Sequence, residues 1–141
     1  MKSGAPSRLV VVGAVAIAII AGYFLLSGEP TSTSSGKPLA VVNVPSLSGA
    51  ALAGEQSFNA NCSVCHGANA EGKEGLAPPL VHKIYEPSHH GDMAFVLAAK
   101  QGVRQHHWPF GNMPAVPDVS DKQIADIITY IRTLQRANGI H

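Results

Sequence analysis

The first apolar stretch of the chain is long and uncharged. It runs from Leu9 to Leu26 as "LVVVGAVAIAIIAGYFLL", and as a helix it would span about 27 Å, close to the hydrocarbon core of a bilayer. Lys2 and Arg8 precede it, which places the N-terminus in the cytoplasm and the rest of the chain outside. We predict a membrane anchor over residues 1–26, as one transmembrane helix. The alternative is a cleaved secretory signal, which also has a basic start and an apolar stretch.

A polar segment separates this stretch from the rest of the chain. Residues 27–48 are rich in Ser, Thr, Gly and Pro, a composition typical of a flexible linker that would reach about 25 Å as a random coil. Its second part, "LAVVNVPSLSG" (39–49), contains a short β-branched run, which we expect to lie extended against a neighbour. The folded domain is predicted to occupy residues 49–141.

The folded domain shows helical spacing and none of the alternation of a sheet. Leu52, Glu55 and Phe58 recur at three-residue spacing among alanines and predict a short helix over residues 49–61, ending near the first cysteine. A second helix is predicted over 91–102, with Asp92 as its N-cap and Gly102 just past its end. Gly and Pro mark the segments between helices as loops. The domain is therefore predicted to be all-α with long loops.

The clearest predicted helix is the last, at residues 120–139. Ser120 and Gln123 have the spacing of a capping box. Arg132 and Arg136 suit the negative C-terminal end of the helix dipole. One apolar stripe follows the helical repeat: Ile124, Ile127, Ile128, Ile131 and Leu134. The segment is predicted to be an amphipathic helix of about five turns.

The charge of the domain excludes one class of partner. Residues 49–141 carry seven Lys plus Arg and eight Asp plus Glu, which gives a net charge of −1. No basic stripe is available to follow phosphates, so we expect no nucleic-acid partner.

Loops as long as these in so small a domain require a further source of apolar core.

The two cysteines and the histidine after them carry the chemistry. Cys62, Cys65 and His66 lie in "NCSVCHG". Structural zinc needs two further ligands, a redox dithiol needs a βαβ scaffold, and a disulfide leaves the histidine unexplained. The motif C-x-x-C-H accounts for all three residues, because it attaches a c-type haem through two thioethers and supplies the proximal imidazole ligand. The flat apolar porphyrin would also supply the missing core.

A second axial ligand is expected from the loop before the last helix. Met113, in "FGNMPAV", offers a soft, neutral thioether that favours ferrous iron and closes the distal face. Met1 lies at the cytoplasmic end, and Met93 is expected to be a core residue of its helix. His106 and His107 are the rival ligands, and Met113 as a plain loop residue is the remaining alternative.

With these residues in hand, the chain resembles the class I c-type cytochromes over about residues 49–138. The resemblance implies a small fold in which N- and C-terminal helices cross and long loops wrap a single covalent haem c. Gly54 and Phe58 match the Gly-x-x-x-Phe of the family's N-terminal helix, and Tyr130 matches the aromatic residue of its C-terminal helix. The small glycine would lie where the two helices meet.

The resemblance also implies roles around the haem. The carbonyl of Pro78 would accept a hydrogen bond from the proximal imidazole, and Leu80 would pack on the haem. Met113 followed by Pro114 matches the methionine ligand and its proline. Arg104 and Trp108 align loosely with residues that bond the haem propionates. His66 and Met113 would be the two iron ligands.

Five histidines depart from the family pattern. They lie between Leu80 and Met113: His82, His89, His90, His106 and His107. They are either surface and propionate-facing side chains or a second metal site, for copper or zinc, built from "SHHGD" and "QHHWP". Paired histidines form a site only if the backbone turns both of them inward.

The expected function is one-electron transfer rather than enzymatic catalysis. We expect a carrier, or a cytochrome subunit of a respiratory complex, tethered to a bacterial inner membrane through residues 9–26 with the haem domain in the periplasm. Redox proteins in or at the membrane would be its electron donor and acceptor. The alternatives are a haem enzyme or sensor with an open distal site, and a metal-handling cytochrome that uses the extra histidines.

Overall fold

The computed structural model describes residues 36–141. Its elements are the helices α1 (Gly49–Asn61), α2 (Ser63–His66), α3 (Asp92–Gln101) and α4 (Asp121–Ala137), with a 3₁₀ turn at Lys83–Tyr85. Within this part of the chain the only β structure is a set of isolated bridges, which agrees with the predicted all-α class. No helix within residues 36–141 has the length and apolar character needed to cross a membrane. The anchor predicted at residues 1–26 lies outside the described residues.

Helices α1 and α4 pack directly on each other through a glycine. A Cβ atom at Gly54 would collide with the backbone carbonyl of Asp126 and with the side chain of Tyr130. One turn further along α1, the rings of Phe58 and Tyr130 lie 5.5 Å apart, and both residues are fully buried. The helix pairing implied by the resemblance is therefore present, and it requires the absence of a side chain at position 54.

Helix α4 supplies most of the apolar core. All five residues of the predicted stripe are buried. The capping box is present in both directions: Gln123 N–H donates to Ser120 Oγ (3.4 Å), and Ser120 N–H donates to Gln123 Oε1 (3.0 Å). These two bonds satisfy backbone donors that the first helical turn leaves free.

The start of α3 corrects one sequence prediction. Gly91 is the N-cap, and Asp92 is the first helical residue. The Asp92 carboxylate does not cap the helix, because it accepts a hydrogen bond from Arg132 Nε at 2.8 Å. At the other end, Gly102 ends the helix with a φ of 76°, as its position after the repeat predicted.

Arg132 is buried, with 7% of its surface exposed. Its guanidinium donates to the carbonyls of Tyr85 and His90 and lies 4.9 Å from the centre of the Phe95 ring. Arg132 thus joins α4 to α3 and to the loop that precedes α3.

The second part of the predicted linker lies against the domain. Leu39 N–H and Ala40 N–H both donate to the carbonyl of Glu71, at 3.2 and 3.1 Å. Asn43 and Asn138 exchange two bonds, with Asn43 N–H donating to Asn138 Oδ1 and Asn138 Nδ2 donating to Asn43 O. Residues 37–48 are therefore held against the domain, as expected for the second part of the 27–48 segment.

Candidate functional site

The helices and loops enclose one large, mostly apolar cavity. Its volume is about 330 Å³, and its walls come from all four helices and from the loops before and after α3. The sequence-predicted residues that line it are Cys62, Cys65, His66, Pro78, Leu80, Trp108 and Met113. Residues far apart in the chain are thus brought to one enclosed volume.

His66 is fixed by a single hydrogen bond. It ends the short helix α2 and is buried, and its Nδ1 lies 2.9 Å from the carbonyl oxygen of Pro78. A carbonyl only accepts, so Nδ1 carries the proton and Nε2 keeps its lone pair. Burial lowers the pKa of His66, and the bond to Pro78 opposes that shift. The imidazole is therefore held neutral, which is the form that ligates metals.

The two thiols line the same cavity as this imidazole, and that of Cys62 is not activated. Burial, together with the nearby Cys65, raises the pKa of Cys62 to about 11. Both cysteines are free. Within residues 36–141 neither joins a group of His, Cys, Asp or Glu spaced to hold a metal ion. A zinc centre and a reactive dithiol therefore both fit poorly, because each needs thiolates.

Met113 is placed by a backbone bridge. Its N–H and carbonyl pair with the carbonyl and N–H of Val103, both at 2.9 Å. Gly102 makes this possible, because a Cβ atom there would lie 2.5 Å from the Met113 carbonyl. The Met113 side chain is half-buried and lines the cavity. By contrast, Met93 is 64% exposed, so its assignment to the core of α3 was wrong.

The rival ligands also lie at the cavity. His106 and His107 line it, on the loop between Gly102 and Met113. Both are exposed, whereas His66 at the end of α2 is buried. Local desolvation and the neighbouring His106, His90 and His89 lower the pKa of His107. The two imidazole rings therefore lie near the site, but they are more exposed to solvent than the Met113 side chain.

Trp108 carries an unpaired polar group. Its indole Nε1 is buried, and no hydrogen-bond partner exists for it among residues 36–141. The ring stacks on Phe110 with centroids 5.7 Å apart. Burial raises the pKa of Tyr85 to about 12, and the nearby indole N–H of Trp108 partly offsets that rise, although its contact with the Tyr85 hydroxyl does not meet hydrogen-bond geometry. A buried donor without a partner is rare and indicates a polar group that belongs at this wall of the cavity.

Arg104 is not at the cavity. It is exposed and lies outside the set of described residues that line the enclosed volume. Its carbonyl, rather than its guanidinium, takes part in the local structure by pairing with His106 Nδ1 at 2.8 Å. The propionate-binding role expected for Arg104 therefore finds no support in its position, whereas that of Trp108 does.

A comparison with protein families decides the nature of this site. The sequence model of the family described as cytochrome c matches residues 51–135, which are more than half of the chain. The chain belongs to the cytochrome c family. No curated protein matches the chain. Membership implies a covalently bound haem c, and the cytochrome fold matches the helical architecture described above.

The residues of this cytochrome fit a haem on structural grounds as well. Two thiols and an imidazole line an apolar cavity, as covalent attachment and proximal ligation require. The orphaned N–H of Trp108 would be satisfied by a carboxylate of the porphyrin. Without such a group, the cavity and the unpaired donor would both be costly to maintain.

Sequence reasoning missed two polar residues that shape the cavity wall. Gln135 is 1% exposed, and its Nε2 donates to the carbonyls of Leu80 and Tyr85 at 2.9 and 3.0 Å. Arg132 donates to the Tyr85 carbonyl at 2.7 Å. Both residues stand four positions after an isoleucine of the buried stripe. That spacing could have predicted their burial, because residues four apart lie on the same face of a helix.

Proposed function

We propose that this cytochrome transfers single electrons through a haem bound at Cys62 and Cys65, with His66 and Met113 as axial ligands. The observation that carries the proposal is that both thiols, the imidazole and the thioether line one apolar cavity. Family membership supports haem-based electron transfer in general. The assignment of His66 and Met113 as axial ligands is more specific than family membership and is the part that we propose.

The surrounding residues suit a stable redox couple. When bound, the haem supplies a one-electron ferric/ferrous centre. The Pro78 carbonyl orients His66, and the Val103 bridge holds the backbone of Met113, so both ligands are positioned before the oxidation state changes. A thioether and an apolar enclosure both favour the less charged ferrous state, which raises the potential relative to two histidine ligands.

Electrons would leave through the side of the cavity near the cysteines. A second opening there is lined by Cys62, Val64, Met113 and Pro114, among others. Val64 at its rim is 72% exposed. Among the described residues, the lining of this opening contains no Asp, Glu, Lys or Arg, and the ammonium of Lys73 lies beside it, 2.7 Å from the Val64 carbonyl. A small, mostly apolar surface suits brief contacts with the redox proteins that we propose as donor and acceptor, because it gives little tight binding.

The membrane tether is also a proposal. Residues 9–26 would hold the protein in a bacterial inner membrane, with the haem domain in the periplasm serving a respiratory chain. Residues 37–48 are held against the domain, so the linker between the proposed anchor and the domain would be shorter than the full 27–48 segment. Carbonate washing of membranes followed by intact-mass measurement tests this. A soluble mature protein beginning between residues 24 and 40 would contradict the anchor.

Replacing the proposed distal ligand is the decisive experiment. Met113→Ala should keep the haem covalently attached, because attachment uses only Cys62, Cys65 and the attachment machinery. It should lower the reduction potential by roughly 0.1 V or more, within the span of about 0.8 V that axial ligands control. The near-infrared band of ferric iron–methionine ligation should disappear. Met93→Ala is the matched control, because that thioether is 64% exposed, and it should change neither property.

Ligand binding separates this proposal from the enzyme or sensor alternative. The reduced unaltered protein should bind CO slowly or not at all, and Met113→Ala should bind it readily. If His106 or His107 replaces the methionine in the variant, the potential still falls while CO remains excluded. Rapid CO binding by the unaltered protein would show an open distal face and favour an enzyme or sensor.

A further inference from the structure

Four histidines from two separate loops meet at the surface of the domain. His89 and His90 precede α3, and His106 and His107 follow it. We call these four residues the histidine cluster. Ring centroids lie 4.7 Å apart for His89 and His90, 4.3 Å for His106 and His107, and 5.2 Å from His107 to each of the first pair. The tertiary fold thus joins two pairs that the sequence separates by a helix.

Three of these rings have the spacing of metal ligands. One ring nitrogen from each of His89, His90 and His107 lies within 4.8 Å of the other two. Zinc–imidazole bonds of about 2.0–2.1 Å in tetrahedral geometry place ligand nitrogens about 3.3 Å apart. Closing the site therefore requires movements of about 1.5 Å at most, which rotation of exposed imidazole side chains can provide.

His90 is already oriented as a ligand. Its Nδ1 lies 2.6 Å from the carbonyl of Ile84, so Nδ1 donates and Nε2 is left with a free lone pair. Its backbone is held on both sides, by its N–H to Glu86 O at 2.8 Å and by Arg132, which donates to its carbonyl. A carbonyl that fixes the tautomer and direction of a histidine is the usual outer support of a metal site.

We propose that His89, His90 and His107 bind one divalent transition-metal ion of the imidazole-preferring class, Zn²⁺ or Cu²⁺. Three neutral nitrogen donors suit these borderline ions, while Mg²⁺ and Ca²⁺ prefer oxygen ligands. His106 lies beside the site, with its Nδ1 turned to the carbonyl of Arg104, and is not one of the three ligands. Water would fill the remaining coordination positions, because His89 and His107 are exposed.

The competing role for these rings is to face the haem. His90, His106 and His107 line the haem cavity, whereas His89 does not. A purely haem-facing role would therefore depend on His90, His106 and His107 but not on His89. Metal binding depends on His89 equally with its two partners, and this difference decides between the two roles.

Calorimetric titration of the untagged, haem-loaded protein tests the site, using Zn²⁺ and Cu²⁺ separately and Mg²⁺ as a negative probe. We expect one equivalent of Zn²⁺ to bind, and Cu²⁺ to bind more tightly. His89→Ala and His107→Ala should each weaken binding by roughly tenfold or more, by analogy with the losses seen when metal-site support is removed. The matched control is His141→Ala, which removes an exposed histidine near the C-terminus and should leave the affinity unchanged.

X-ray absorption at the zinc edge gives an independent readout. Multiple scattering from three imidazole rings, with ligand nitrogens at about 2.0 Å, should be present in the unaltered protein, and scattering from fewer rings in His89→Ala, where water takes the vacant position. The visible spectrum and reduction potential of zinc-free His89→Ala should match those of the unaltered protein. Absent Zn²⁺ binding, binding that survives both substitutions, or equal binding of Mg²⁺ would overturn the proposal. A shifted zinc-free potential in His89→Ala would assign His89 to the haem and would also overturn it.

Discussion

Removing the buried guanidinium of Arg132 should destabilise the domain severely. The group makes hydrogen bonds to two backbone carbonyls, to the Gln135 side chain at 2.6 Å and to Asp92. These partners belong to α3, to α4 and to the loop that carries His90. Arg132→Met keeps the length and helix propensity of the residue but removes every one of these bonds at once.

The magnitude follows from what the substitution leaves behind. The Asp92 side chain is 66% exposed, so water can replace its partner at small cost. The carbonyls of Tyr85 and His90 are in part-buried positions, and each loses a bond to a charged donor that contributes about 1.5–3 kcal/mol. We expect the free energy of unfolding to fall by about 3–6 kcal/mol, because two such bonds are lost together and the exposed Asp92 adds little. That is a large part of a total of about 5–15 kcal/mol.

Guanidinium chloride unfolding of the haem-loaded protein, followed by far-ultraviolet circular dichroism, measures this loss. Arg136→Met is the matched control, because Arg136 is exposed and its guanidinium donates, among residues 36–141, only to Thr133 Oγ1, at 3.0 Å. It should change the unfolding free energy by less than about 0.5 kcal/mol. A loss below about 1 kcal/mol for Arg132→Met would refute the reasoning. It would show that the cost of burying the charge cancels the bonds that it makes.

Three further variants test the core. Gly54→Ala should lower the unfolding free energy by about 1–3 kcal/mol, because the new methyl group forces α1 away from α4; a neutral result would show that the helices can shift without loss. Tyr130→Phe should cost about 1 kcal/mol by removing the 3.0 Å bond from its hydroxyl to Ala68 O, and full retention of stability would show that water replaces it. Replacing both Cys62 and Cys65 with Ser should abolish folding, because without the haem the apolar walls of a cavity of about 330 Å³ would be left exposed to water in a domain too small to offset the loss. A cooperative, helical, haem-free domain from that variant would contradict this view of the core.

The sequence alone determined the features that depend on neighbouring residues. Three features each lie within a short, continuous stretch of sequence: the C-x-x-C-H motif, the capping box of α4 and the apolar stripe of α4. Hydrophobic periodicity fixes which face of a helix is buried whatever it packs against. The resemblance added two long-range features that the structure contains: the bond from His66 to Pro78 and the packing of Gly54 on α4.

Only the tertiary structure decided the placement of the polar groups. Asp92 reads locally as a helix cap, but its carboxylate pairs with Arg132, 40 residues away. Arg104 and Trp108 looked equally suited to the haem, yet only Trp108 lies at the cavity, with its N–H buried and unpaired among the described residues. The histidine cluster likewise exists because α3 brings its two flanking loops together. Each outcome depends on which buried donor reaches which acceptor across the fold, and a local pattern carries no information about such contacts.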